Sequence, residues 1–441
     1  MNFDRLRELI LERAIQGKLV PQLESEPKVF QIGDKPENPP FDVPSSWKWI
    51  YAKEAQTFVR GITFPASAKR KYKNEGDVRC LTTGSIQKEH QQKSDVFISR
   101  DYVKNDEQYL NQGDIIFSSA NSRELVGKNL IWSRNDRSFT FGGFLTIARP
   151  NKFIILPEYA YYFYQYLFLS KKFTQLASQT TNIANISNKV LCKIVIPVPP
   201  LKEQQRIVNK LQSCFAELDR IEIAFTEFHS LGLALQKQVL QKAICGELVP
   251  QLESEPCIEL PDSQLSDSTI DIPKKWKMVK LKDIFTFIDY RGKTPNKIHE
   301  GVRLITASNI KQGRMDHSKK VFISNEEYLT RQSRGISKKG DILFTTEAPL
   351  GNVAIADIDN YSAGQRIITL QSKKGNNKLY MYFMLSPYFQ KLLVSQATGT
   401  TAQGIKAARL KELVIPVPPE GEQERILNKL TALFSFLKIY K

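Results

Sequence analysis

One sequence is written twice along this chain, and that repeat constrains its architecture more than any other feature. The stretch Glu12 to Pro27 (ERAIQGKLVPQLESEP) returns at Gln241 to Pro256 (QKAICGELVPQLESEP), with 12 of 16 positions identical. Asp42-Val-Pro-x-x-Trp47-Lys48 returns as Asp271-Ile-Pro-x-x-Trp276-Lys277, and Arg60-Gly61-x-Thr63 as Arg291-Gly292-x-Thr294. Val96-Phe-Ile-Ser99 matches Val321-Phe-Ile-Ser324, and Gly113-Asp-Ile-Ile-Phe117 matches Gly340-Asp-Ile-Leu-Phe344. Ile194 to Leu211 (IVIPVPPLKEQQRIVNKL) matches Leu413 to Leu430 (LVIPVPPEGEQERILNKL) at 13 of 18 positions. The matches keep their order, so the chain is a pseudo-dimer in one polypeptide. Its parts read as residues 1–27, 28–197, 198–256, 257–416 and 417–441, with variable segments second and fourth.

Each copy ends at Ile-Pro-Val-Pro-Pro and runs into a helix. After the first copy a proline-free stretch predicts a helix from Leu201 to Cys245. Heptad a/d positions 207, 211, 214, 218, 221, 225, 228, 232, 235 and 239 are apolar except Gly232, which is a coiled-coil pattern. Ile207, Leu211, Leu218, Phe225 and Leu235 are its seam residues, and an ordinary buried helix is the other reading. The second copy continues the pattern through Ile426 and Leu430 to the end of the chain, and Phe3, Leu6 and Ile10 carry it on by the repeat offset. The expectation is an antiparallel coil of one continuous helix against one split between the N- and C-terminal segments, with the termini close together.

Within each copy, alternating β-branched and aromatic residues between Gly- and Asn-rich turns predict strands. The first copy reads as strands at 78–86, 114–119, 129–133 and 144–149, a helix at 157–178 and a strand at 191–196. The second reads as strands at 302–310, 341–346, 353–358 and 366–371, a helix at 378–397 and a strand at 412–417. The fold class is therefore α+β: two pseudo-repeated domains separated by a long antiparallel helical coil. The aromatics of the first long helix, Tyr159, Tyr161, Tyr162, Phe163, Tyr166 and Phe168, read as core, with a base-stacking platform as the alternative.

Charge bears on the partner. Lys and Arg number 63 against 46 Asp and Glu, a net charge of +17, which favours a polyanion. The first copy carries about seven extra residues between its Arg-Gly motif and Val78, a stretch holding Lys69, Arg70, Lys71 and Lys73. That cluster suits phosphate contact, or is a solvated loop. Arg60 and Arg291 beside their glycines either contact DNA or mark a structural turn. Asn121, Arg123, Gln365 and Arg366 sit in polar loops and can bond base edges in the major groove, and Lys293 and Asn309 are further DNA-contact candidates. A shared frame with unlike loops implies two readers of two different short sequences.

These motifs resemble the specificity (S) subunit of type I restriction–modification systems over essentially the whole chain. The paired Ile-Pro-Val-Pro-Pro-x-x-Glu-Gln-x-x-Ile boundaries (Ile196 to Ile207, Ile415 to Ile426) around two variable segments carry the resemblance. It implies that each variable segment is a target-recognition domain for one half of a bipartite, gapped DNA site. It also implies helices that set the gap and dock two modification (M) subunits. Those partners would bring S-adenosylmethionine and methylate adenine, and restriction (R) subunits would add ATP- and Mg-dependent translocation and cleavage. The chain itself would be non-catalytic and bind no cofactor or metal.

A stand-alone DNA methyltransferase is the rival class, since Asn38-Pro39-Pro40-Phe41 matches an adenine-methyltransferase motif. The motif lies in a Pro-rich lead-in with no Gly-rich cofactor loop before it, and the second copy has Asp267-Ser-Thr-Ile270 there. No phosphate-binding loop or metal-ligand spacing appears among the four histidines and five scattered cysteines. A mixed-charge start and the lack of a long apolar run are expected of a cytoplasmic protein of a bacterial or archaeal cell, with no membrane partner.

Overall fold

The repeated motifs meet in three dimensions, and each meeting is a joint between helix and head. The computed structural model describes residues 2–135, 137–179, 183–263, 270–290, 294–373, 376–399 and 403–438. The chain divides into two units, Met1–Phe225 and Thr226–Lys441. The division falls inside one helix, Leu201–Ile244, whose 44 residues agree with the stretch expected from the missing prolines. At about 1.5 Å per residue it is some 66 Å long.

In the first unit the strand Lys48–Tyr51 pairs antiparallel with Val195–Val198, so the two ends of the variable segment are stitched together. Between them lies a four-stranded sheet in the order Gln56–Arg60, Leu145–Pro150, Ile115–Ser118, Asn129–Ile131. A three-stranded sheet follows the order Val96–Ser99, Asp77–Leu81, Phe139–Phe141, with the last pair parallel. The second unit repeats every feature. Lys277–Lys280 pairs with Val414–Val417, and Phe285–Asp289, Ile367–Ser372, Ile342–Thr345 and Val353–Ile355 form its four-stranded sheet. Phe322–Ile323, Val302–Ile305 and Tyr361–Ala363 form the three-stranded one. All four residues of Ile115–Ser118 and of Ile342–Thr345 are buried, because sheet neighbours and helices cover both faces.

Several expected elements end early, for local reasons. The strand expected at 78–86 stops at Leu81, because Thr82 and Ser85 close a capping box around a 3-10 turn. The helix expected at 157–178 breaks into Pro157–Leu169 and Lys172–Leu176, with Lys171 left-handed at φ 61°. Its counterpart breaks into Asn377–Met384 and Pro387–Ser395, where Pro387 cannot continue the first helix and starts the second. The strand expected at 191–196 is a capped turn of helix, Asn188–Cys192, before Val195–Val198. The tyrosines and phenylalanines of the first long helix are buried or half-buried, as core.

The N-terminal helix Phe3–Ile15 runs antiparallel to the first half of the long helix. Phe3 meets the Phe225 ring edge-on at 6.0 Å, and Arg7 bonds Asp219 and Glu222 at 2.6 and 2.5 Å. Leu11, Ala14 and Ile15 share a core with Ile207 and Leu211. In the second unit Leu240, Ala243 and Ile244 share one with Ile426, Leu430 and Phe434 of the helix Glu420–Lys438. Leu6 and Leu218 are half-buried. The continuous seam expected from the heptads is covered only at its ends: among the described residues Ile221, Phe225, Phe228 and Leu235 are exposed, Phe228 by 52%.

The identical boundary motif is a hydrogen-bonded clamp. Glu203, buried in the first turn of the long helix, accepts from the Trp47 indole at 3.0 Å and the Gln22 amide at 2.6 Å. Gln204 accepts from the Leu156 N–H at 2.7 Å and donates to the carbonyls of Ile154 and Pro199. Glu422 repeats the clamp with Trp276 at 2.8 Å and Gln251 at 2.5 Å. Arg206 grips Glu26, and Arg425 grips Glu255. Gly17 and Gly246 terminate the preceding helices at positive φ, where a Cβ would strike Pro44 or Pro273 within 2.5 Å.

Glu203→Ala strands the buried Trp47 indole N–H, and is expected to cost about 1–3 kcal/mol in chemical denaturation. Burial lifts the Glu203 carboxyl above its ordinary range, with the Trp47 and Gln22 hydrogen bonds opposing. The folded state therefore holds the proton more tightly than the unfolded one. The stability this group contributes is fully present below about 4.5 and is lost as pH rises through the raised value. Melts across that window should show a slope that Glu203→Gln flattens.

Candidate nucleic-acid interface

Three turns recur at one end of the sheets in both heads, and a fourth is described in the first. In the first unit these follow Arg60, Leu81, Ser118 and Phe141, and in the second Ile305, Thr345 and Ala363. In the second unit the turns enclose an open cleft of about 490 Å³ lined by Lys297, Lys319, Gln365 and Arg366 with the hydroxyls of Thr294 and Ser308. A smaller one of about 280 Å³ shares Gln365 and adds Thr398 and Lys406. Cations and amides around hydroxyls are the side-chain types that bind phosphates and base edges.

Arg60 ends the strand Gln56–Arg60 and is exposed. Its neighbour Gly61 lies so close to the next turn that a Cβ would fall 2.2 Å from the Gly142 carbonyl oxygen. The Arg-Gly pair thus combines an obligatory glycine with a free-standing cation. Lys69, Lys71 and Lys73 are exposed, Lys71 over the Tyr72 ring. Arg70 differs from its neighbours: it is ion-paired with the buried Asp77 carboxylate, and its backbone bridges Phe97. The Asn74 N–H and Arg70 hold that carboxyl below its usual range against the effect of burial. Arg70 anchors the loop that displays the three lysines.

Two more candidates are tied into turns. The Asn121 amide donates to the Ser118 hydroxyl and accepts from the Ser122 N–H, both at 2.8 Å. Asn309 is 1% exposed and makes four bonds: it accepts from the Thr306 N–H and hydroxyl and donates to the carbonyls of Asp316 and Lys319. A buried amide with no free donor or acceptor holds a turn and reads nothing. Arg123 is exposed on the loop after Ser118. Gln365 and Arg366 are exposed, Gln365 accepting from the Thr294 hydroxyl at 2.9 Å and Arg366 paired with Glu347 at 3.0 Å. Arg291 and Lys293 lie outside the described residues. Sequence reasoning missed Lys297, Lys319 and Lys406, which become neighbours only through the topology.

The Asn38-Pro39-Pro40-Phe41 stretch is loop, with Asn38 exposed and the Phe41 ring packed 4.9 Å from Trp49. No helix among the described residues is long and apolar enough to cross a membrane.

A family model described as "Type I restriction modification DNA specificity domain" matches residues 45–224 and 273–441, one match over each head and its helix. The chain belongs to this family. Specificity-domain relatives include a putative type I restriction enzyme MjaX specificity subunit of Methanocaldococcus jannaschii, 27% identical over 74% of this chain and 73% of its own. The EcoKI specificity subunit of Escherichia coli K12 is 23% identical over 89% and 83%. A solved chain from work on complex assembly and conformational transition of the type I R-M system superposes with a TM-score of 0.59. It is 18% identical and covers 91% of this chain and 93% of its own. The fold is thus that of type I specificity subunits, and the chain is a non-catalytic DNA-recognition subunit of that kind.

Removing Lys71 and Lys73 together should weaken binding to any duplex and shallow the salt dependence by about 0.9 per lost phosphate contact. Arg70→Ala should instead lower the melting temperature. Filter binding from low to moderate salt separates the two.

Proposed function

We propose that each head reads one half of a bipartite, gapped DNA site, residues 28–197 one half and residues 257–416 the other. The helices would set the gap and carry two modification subunits. One observation supports this above others: the same buried frame occurs twice and displays different exposed side chains. Two docking faces of the same kind, one on each repeat, are the natural complement of two copies of one partner. The modification subunits would supply S-adenosylmethionine and the adenine chemistry, and restriction subunits ATP- and Mg-dependent cleavage. The exposed apolar residues of the long helix, Ile221 and Leu235 among them, suit a helical partner surface.

Co-expression with the modification subunit, followed by mapping of methylated adenines, tests the reading. A split motif with a constant gap is expected. Arg60→Ala should erode only the half read by residues 28–197, and equal loss at both halves refutes the division of labour. Lengthening the helix Leu201–Ile244 by one turn should change the gap and leave both halves intact. Phe225→Asp should abolish co-purification of the partner, and undiminished methylation by that variant contradicts the docking assignment.

A further inference from the structure

One turn in each head has the same backbone and opposite chemistry. In the first unit Gly142 donates to the Leu81 carbonyl at 3.0 Å, and Leu145 donates back to Gly142 at 2.8 Å. In the second, Gly364 donates to Ile305 at 2.7 Å and Ile367 to Gly364 at 3.1 Å. Ser119 donates its N–H to the Phe144 carbonyl at 3.0 Å, and Thr346 donates to the Arg366 carbonyl at 2.9 Å. The hydroxyls of Ser119 and Thr346 bond the same two carbonyls. These backbone anchors are shared, and two side chains between them differ: Gly143 and Phe144 in one head, Gln365 and Arg366 in the other.

The differing side chains face solvent. Phe144 is 63% exposed, on a turn ringed by Thr63, Ser119 and Ala120. Folding gains little from an aromatic held this far out. In the second head each side chain is held at one atom with the rest left over. Thr294 fixes the Gln365 Oε1, leaving the amide donors outward, and Glu347 engages the Arg366 Nε, leaving the terminal guanidinium nitrogens. Side chains pinned at one end and open at the other have less rotamer freedom to lose on binding.

We infer that this turn is a specificity-determining element in each head, Phe144 contacting the C5 methyl of a thymine and Arg366 the N7/O6 edge of a guanine. The inference rests on the DNA-reading proposal and adds which residues discriminate. An apolar ring distinguishes thymine by its methyl alone, and guanine is the base that offers two major-groove acceptors to a guanidinium fork. Gln365 then orients beside Arg366 and donates to the neighbouring base. Gly143 is not at positive φ, and a Cβ there lies 3.1 Å from the Thr63 hydroxyl, a side chain able to turn aside, and 3.3 Å from the Ile62 carbonyl oxygen. The second head's pair therefore fits the first head with a backbone shift of a few tenths of an ångström at Ile62.

The test uses the full chain assembled with its modification subunit and the half-sites mapped as above. Duplexes carrying deoxyuridine in place of single thymines lose only the methyl. One such change in the first half-site should weaken the wild-type complex about fourfold, and Phe144→Ala should erase that difference without lowering the melting temperature. Arg366→Ala should lose roughly tenfold or more at a single guanine of the second half-site. The double change G143Q/F144R should move the first half-site's preference at the thymine position to guanine. Unchanged deoxyuridine sensitivity in Phe144→Ala, or a first half-site without thymine on either strand, overturns the assignment of Phe144. Unchanged guanine preference in Arg366→Ala overturns that of Arg366. A wild-type complex with no sequence preference at all instead overturns the DNA-reading proposal itself.

Discussion

The structure depends on two carboxylates hidden from water. Glu203 and Glu422 each sit in the first turn of a helix, where the positive end of the helix dipole favours an acid. Each accepts from a tryptophan on the segment entering a head and from a glutamine on the segment leaving the preceding helix. Removing a carboxylate from water is costly, and two well-placed donors are what make the burial tolerable. One residue thereby joins three pieces of chain that are far apart in sequence. The strand pair that closes each variable segment starts from this joint, at Lys48 and at Lys277.

Beyond the joint, each head separates what must be constant from what is displayed. Gly61 and the Thr82 and Thr306 capping boxes hold turns by close approach and internal hydrogen bonds. Asn309 spends its whole hydrogen-bonding capacity in the same way. The lysines after Pro65, Phe144, Gln365 and Arg366 are not needed to hold the frame and point outward. A non-catalytic recognition subunit requires this arrangement, because its surface chemistry can then differ between two heads without altering the core that supports it.

Much of the architecture was legible. The repeat announced two equivalent units, the run without proline announced Leu201–Ile244 almost to the residue, and short runs of β-branched and aromatic residues after Gly-Asp turns marked Ile115–Ser118 and Ile342–Thr345. The strands Lys48–Tyr51 and Gln56–Arg60 were not seen, because their partners lie some 90 to 150 residues away and their own patterns are short. Of the polar loop residues chosen as DNA contacts, Arg60, Arg123, Gln365 and Arg366 are exposed and Asn121 is half-buried, while Asn309 is consumed by its own turn. Amide side chains look alike in a sequence whether they face solvent or close a loop.

By itself the sequence determined the duplication, the long helix and the clamp motifs, since identity, periodicity and the absence of proline are properties of residues along a line. The tertiary structure alone decided which polar side chains are free, because a hydrogen bond such as Arg70 to Asp77 or Asn309 to Lys319 is settled by positions in space. It also decided that the heptad stripe is buried at Ile207, Leu211, Ile426 and Leu430 while Ile221 and Leu235 stay exposed. Burial requires a partner element packed on the stripe, as the helix Phe3–Ile15 shares a core with Leu211 and the helix Glu420–Lys438 one with Leu240.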